Sequence, residues 1–110
     1  MNGSQSTPRA DPSAGAFLER LDVVAAWQPD APAVLDDRGT LTYRGLLAAV
    51  EEQARELRRQ GAGPGSLVGL VLPRGREFVV AALACWRLGA AFVPLDPAQP
   101  PARRQAMLGE

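Results

Sequence analysis

The sequence predicts an α/β protein in which helices accompany a short hairpin and a parallel βαβ unit. Leu67 to Leu72 and Ala91 to Val93 are short apolar runs, and between them Arg76 to Leu88 carries apolar residues at helical spacing. Strand, helix and strand with short connections make a parallel crossover, which by the general rule is right-handed. Upstream, Leu46, Leu47, Val50, Ala54 and Leu57 recur at the 3.6-residue period of an amphipathic helix. Between those regions and the N-terminus, Ala33 to Leu35 and Thr40 to Thr42 flank Asp36, Asp37, Arg38 and Gly39, the pattern of a hairpin around a glycine-containing turn.

Taken in order, residues 1–13 are rich in Ser, Gly, Pro and Asn and nearly devoid of apolar side chains, so a disordered leader is expected, with a docking peptide as the alternative. Residues 14–110 form the folded part. Phe17, Leu18, Leu21, Val24 and Ala25 define a first amphipathic helix that ends near Trp27, ahead of Pro29. The hairpin aspartates are expected to bond the local backbone. Thr42 is placed to cap the second helix, which runs to about Gln60 and stops at Gly61. On its solvated face Glu51 with Arg55 and Glu56 with Arg59 can pair.

Gly61, Gly63 and Gly65 imitate a phosphate-cradling loop, but Pro64 interrupts them, no lysine follows, and a strand comes next where a phosphate loop requires a helix; a turn is expected. Leu67 to Leu72 suits a strand buried on both faces. Gly75 stands at the cap of the third helix, whose expected buried stripe is Phe78, Val79, Ala82, Leu83 and Trp86, and Gly89 ends it. Pro100 and Pro101 open a last helix containing Arg103 and Arg104.

Composition excludes more chemistry than the motifs admit. The 110 residues hold twelve basic and twelve acidic side chains, so no net field favours nucleic acid or an anionic membrane. Every basic residue is arginine, and histidine is absent, which removes the usual general base and the commonest metal ligand. A single cysteine, Cys85, excludes an intrachain disulfide and a thiolate zinc site; within an apolar run it reads as a small buried hydrophobe. The first residues lack the basic start and apolar core of a signal peptide, and no apolar run approaches the ~20 residues of a membrane span, so the cytoplasm is the expected compartment. Arg74 and Arg76 flank a helix start without other converging groups and are expected to be solvated surface charges.

Three stretches together carry a family resemblance. Trp86 to Arg104 reads WRLGAAFVPLDPAQPPARR: a helix end at Gly89, a short strand, and then Pro94, Leu95, Asp96 and Pro97 before a proline-rich turn. Leu41, Thr42, Tyr43 and Leu46 form a second stretch, and Val71 to Glu77, VLPRGRE, a third. In this order and spacing they resemble the opening portion of the adenylate-forming enzymes, most closely the amino-acid adenylation domains of nonribosomal peptide synthetases. The resemblance runs from about Phe17 to the C-terminus. Two positions depart from it: Gly45 replaces a glutamate that would complete a reciprocal capping box, and Gly75 replaces a capping serine. The first departure is expected to weaken the helix start by roughly 1 kcal/mol.

The resemblance implies the N-terminal part of the large domain of that fold. In the complete enzymes ATP and Mg²⁺ serve to activate an amino acid as its adenylate, which is passed to a phosphopantetheine carrier protein. It also implies that the phosphate loop, the catalytic lysine and the substrate-selecting residues lie in segments that do not occur here. No catalytic, cofactor-binding or metal residue is therefore assigned, and no cofactor is expected on this part alone. Asp96, at the carboxyl end of a parallel strand, is the one carboxylate in a matched stretch; a turn-stabilising role is expected of it. The expected partner is the remainder of the adenylation domain, in the same or a separate chain. An acyl-CoA or fatty-acyl ligase fragment, and a non-catalytic module that binds a synthetase, are the alternatives.

Overall fold

The computed structural model describes residues 12–73, 75–96 and 98. The expected leader up to residue 11, Arg74, Pro97 and the expected last helix at Pro100 to Arg104 lie outside the described residues. Seven elements follow one another: α1 (Pro12–Trp27), β1 (Pro32–Asp36), β2 (Gly39–Thr42), α2 (Tyr43–Arg59), β3 (Leu67–Leu70), α3 (Arg76–Arg87) and β4 (Ala91–Pro94). The chain is thus α/β, with β1 and β2 antiparallel and β3 and β4 parallel across α3. The two pairs form separate two-stranded sheets.

α2 begins where the sequence places it, because its orphan donors are met. Thr42 Oγ1 accepts from the Gly45 N–H at 3.1 Å, and the Tyr43 and Arg44 N–H groups donate to the carbonyls of Ala31 and Pro29. The missing carboxylate at position 45 has a counterpart in packing: a Cβ on Gly45 would stand 2.9 Å from Leu41 Cδ1. The glycine admits the Leu41 side chain against the helix, a gain that the reading of a merely weakened start left out.

α3 lies between two groups of apolar side chains. Leu18 and Leu21 of α1 and Leu46, Val50 and Ala54 of α2 meet Leu83, Ala84 and Leu88. On its other side Ala81 and Cys85 pack with Leu70 and Ala90. Leu83 and Cys85 are buried as expected, but the expected stripe is otherwise corrected: Ala81 and Ala84 are buried with them, while Phe78, Val79, Ala82 and Trp86 are only half-buried. A helix pressed on two sides needs small residues where the neighbours come closest.

The same two-stranded arrangement corrects the reading of β3 as buried on both faces. Leu70 is buried, but Leu67 and Val71 are about 40% exposed. In α1, Phe17 and Val24 are likewise partly exposed, whereas Ala14, Leu18, Leu21 and Ala25 face inward. Gly89 ends α3 with φ at +74°, and its carbonyl accepts from Gly65 N–H, tying the glycine-rich turn to the start of β4. That turn closes on itself through Gly63 and Ser66. It serves strand entry, as its sequence context requires.

Arg87 joins three helices. Its guanidinium donates twice to Asp22 of α1, at 2.6 and 3.2 Å, and its Nε lies 3.7 Å from Glu51 of α2, too far for a hydrogen bond. Glu51 therefore turns toward α3 rather than to Arg55, while the Glu56 and Arg59 pair forms as expected. Replacing Arg87 by alanine is expected to cost about 1 to 2 kcal/mol by chemical denaturation, because a bidentate, partly buried pair is lost. An unchanged midpoint would show that solvent replaces the contact without loss.

Candidate functional site

Sequence reasoning assigned no site residue, and the position to test is the start of α3. A helix N-terminus beside two arginines is suited to an anion. Here the anion is part of the chain. Asp36, at the end of β1, sends its carboxylate forty residues along the sequence to α3: Oδ2 accepts from the Arg76 N–H at 3.3 Å and from Arg76 Nε at 3.0 Å, and Oδ1 accepts from Arg76 Nη2 at 2.9 Å. Oδ1 also accepts from the Arg38 N–H at 3.0 Å, the local turn bond that the hairpin sequence implies. Arg76 Nη2 reaches the Gly39 carbonyl at 3.1 Å, and Arg38 pairs with Glu77. Four alternating charges thus fasten the hairpin tip to the first turn of α3.

This arrangement overturns the expectation that Arg76 is a solvated surface charge; its side chain is 22% exposed and that of Asp36 12%. Arg74 lies outside the described residues. Hydrogen bonds from Arg76, and with them those from the Arg38 and Arg76 backbone, hold the Asp36 carboxyl well below the usual carboxylate range. The same pairing raises the Arg76 guanidinium.

Asp36 also takes over the cap. Gly75 makes no side-chain cap bond, and its backbone stands at φ +137° and ψ −166°, a region open essentially to glycine alone. A serine at this position, the residue that the resemblance leads one to expect, would be strained. Gly75→Ser is expected to destabilise by about 1 to 2 kcal/mol in a denaturant titration, despite its better capping side chain. A stabilised variant would mean that the connection relaxes and that Asp36 is dispensable.

Two of the places open to a ligand are mainly apolar. A cleft of about 980 Å³ lies beyond the carboxyl ends of β3 and β4, lined by Pro73, Gly75, Phe78, Leu95 and Asp96 among others. Asp96 Oδ1 accepts from the Ala98 N–H at 2.9 Å, so the one carboxylate there is engaged in its own turn. A groove of about 480 Å³ is lined by Phe17, Phe78, Val79, Ala82, Trp86 and Phe92, with Leu83 at its base. Apart from Asp96, neither lining holds a group suited to proton transfer or nucleophilic attack, and burial pushes the Cys85 thiol up.

Among the described residues no three His, Cys, Asp or Glu side chains come together to hold a metal. The helix start at Arg76 is filled by Asp36. What the described residues build is scaffold: a hairpin, a crossover unit and three helices joined by ion pairs that include Asp36 with Arg76, Glu77 with Arg38 and Asp22 with Arg87.

That scaffold has known counterparts. Tyrocidine synthase 3 of Brevibacillus parabrevis is 40% identical over 98 residues, which is 89% of this chain and 2% of that protein. The nonribosomal peptide synthetase FmoA3, in its alpha-methyl-L-serine-AMP bound form, superposes with a TM-score of 0.77 at 32% identity, over 96% of this chain and 12% of the other. An artificially fused adenylation-PCP di-domain from Klebsiella oxytoca superposes with a TM-score of 0.75 at 25% identity, over 83% of this chain and 17% of the other. The chain therefore spans only a small part of the relatives it matches, and in the described residues no helix is long and apolar enough to cross a membrane. The family of AMP-binding enzymes matches residues 21–110, and the chain belongs to that family.

Proposed function

We propose that this chain is the N-terminal α/β scaffold of an amino-acid adenylation domain of nonribosomal peptide synthesis. Residues 14–110 form one partial domain preceded by a short leader. The complete domain uses ATP and Mg²⁺ to convert an amino acid to its adenylate and hands the aminoacyl group to the thiol of a phosphopantetheine carrier. This segment supplies no group to that chemistry. It presents the β3–α3–β4 crossover on which the rest of the domain is assembled.

The observation that carries this reading is the match to the AMP-binding enzymes over residues 21–110, joined to the parallel β3 and β4 register around α3. The alpha-methyl-L-serine-AMP bound form of FmoA3 supports the amino-acid branch, and the adenylation-PCP di-domain supports a carrier as the next partner. A bare scaffold accounts equally for the absence of lysine and histidine.

The test is amino-acid-dependent exchange between ATP and pyrophosphate, measured on the tagged chain recovered from its source cells with whatever polypeptide accompanies it. Exchange with one amino acid is expected, because the remainder of the domain, in the same or a separate chain, brings the phosphate loop and lysine. No exchange across a full amino-acid panel would overturn the assignment, and exchange driven by fatty acids alone would move it to the acyl ligases.

A further inference from the structure

The parallel pair of β3 and β4 has two outer edges, and they are not alike. The register sets Leu67 opposite Ala91 and Leu70 opposite Pro94, and the Ala91 and Leu95 N–H groups donate to the Ser66 and Leu70 carbonyls. A parallel ladder with those ends alternates along each strand, so Val68 and Leu70 of β3 and Ala91 and Val93 of β4 turn their backbone groups toward each other. Leu67 and Gly69 of β3, and Phe92 and Pro94 of β4, turn theirs outward. Proline has no N–H, so within the strand the outer edge of β4 keeps a donor only at Phe92. The outer edge of β3 keeps a donor and an acceptor at both of its outward positions, and among the described residues no hydrogen bond reaches them.

The two faces of the pair differ as well. Val68, Leu70 and Phe92 pack with Ala81 and Cys85 of α3. On the other face Leu67 and Val71 are 40% and 39% exposed.

We infer that the complete domain of the proposed function, on which this reading rests, adds its next parallel strand beside β3, so that β3 lies between that strand and β4. An extended backbone is the chemistry that answers a row of outward donors and acceptors. Handedness selects the same edge. α3 carries the chain from β3 to β4 over one face, and a right-handed crossover that leaves β4 over the other face travels back the opposite way, passes β3 and lays its strand on the outer side of β3. That path also covers Leu67 and Val71. A strand laid beyond β4 would face Pro94, which cannot donate. A second copy of the chain is a poorer occupant: two four-residue edges side by side bury far less than the ~1,000 Å² of a specific interface, whereas a strand tethered to β4 costs only the closure of its loop.

Hydrogen exchange resolved residue by residue tests this, on the chain together with the remainder of the domain, recovered as for the exchange of ATP and pyrophosphate. The Val68 and Val93 amides are the reference for an intact inner ladder. The Leu67 and Gly69 amides are expected to exchange as slowly as these, at least about 100-fold more slowly than unpaired amides. Gly69→Pro removes one outward donor without touching the inner ladder and is expected to speed exchange at Leu67 at least about tenfold. An unchanged Leu67 in that variant would mean cover without pairing and would overturn the inference. Fast Leu67 and Gly69 beside slow Val68 and Val93, in a preparation that exchanges ATP and pyrophosphate, would overturn it and leave the proposed function standing. Slow Leu67 and Gly69 without that activity would uphold the strand and overturn the function, so the two readings fail separately.

Discussion

Replacing Asp36 by asparagine is expected to lower the melting temperature by roughly 10 °C at pH 7, whereas the same change at Asp37 leaves it nearly unaltered. The two residues are neighbours in one turn and look alike in sequence. Asp36 alone accepts from the Arg76 backbone, the Arg76 side chain and the Arg38 backbone, and so serves the hairpin and α3 together. Asparagine keeps one acceptor oxygen but loses the charge and one of the paired bonds, leaving Arg76 without its counter-ion. Thermal melts followed by circular dichroism measure the effect.

Acid acts on the same clasp in a defined direction. The folded Asp36 carboxyl holds off its proton to lower pH than the unfolded one. As pH falls, the unfolded chain therefore takes up the proton first, and stability drops. The contribution is complete at neutral pH, begins to disappear as pH descends past about 4, and is gone once the folded group protonates. The gap between the native chain and Asp36→Asn is expected to narrow below about pH 4. A constant gap from pH 7 to 2.5 would show that the variant acts through packing instead of charge.

Replacing Leu46 by alanine is expected to cost about 3 kcal/mol, the largest effect of any single truncation considered. Leu46 is 3% exposed and sits at the first inward turn of α2, where α1, α2 and α3 converge. Methylene groups removed from such a place leave a cavity, because Leu18, Leu21 and Leu83 are held by their own helices. A domain of this size gains only a few kcal/mol from its core, so the variant is expected to lose its cooperative transition at room temperature. Leu35→Ala is the control: that side chain is 78% exposed, and a change within about 0.5 kcal/mol is expected. Equal losses in the two variants, read by urea denaturation, would contradict the assigned core.

Elements set by local rules were legible from the residues in order. Thr42 begins α2, Gly61 and Gly89 end helices at positive φ, and the Asp36 to Gly39 turn joins two short strands. Each depends on backbone geometry within three or four residues, which a glycine, a cap or a turn pair dictates alone. The β3–α3–β4 unit was legible for a related reason: its connections are too short for anything but a parallel crossover. Family membership was legible as well, because Leu41 to Leu46, Val71 to Glu77 and Trp86 to Asp96 preserve an order that chance does not supply.

What the residues in sequence concealed was every choice made between elements. Periodicity marked Phe78, Val79, Ala82, Leu83 and Trp86 by their spacing, yet α3 is pressed from two sides and of these buries only Leu83, with the unmarked Ala81 and Ala84 beside it. It marked Phe17 and Val24 as inward, although only packing decides which side of α1 the helices α2 and α3 cover. Asp36 and Arg76 gave no sign of one another across forty positions; the hairpin tip had to be laid against the start of α3 before a turn aspartate could become a helix cap. Local hydrogen bonding is written along the chain. Burial and charge pairing are properties of surfaces, which exist only after the elements have met.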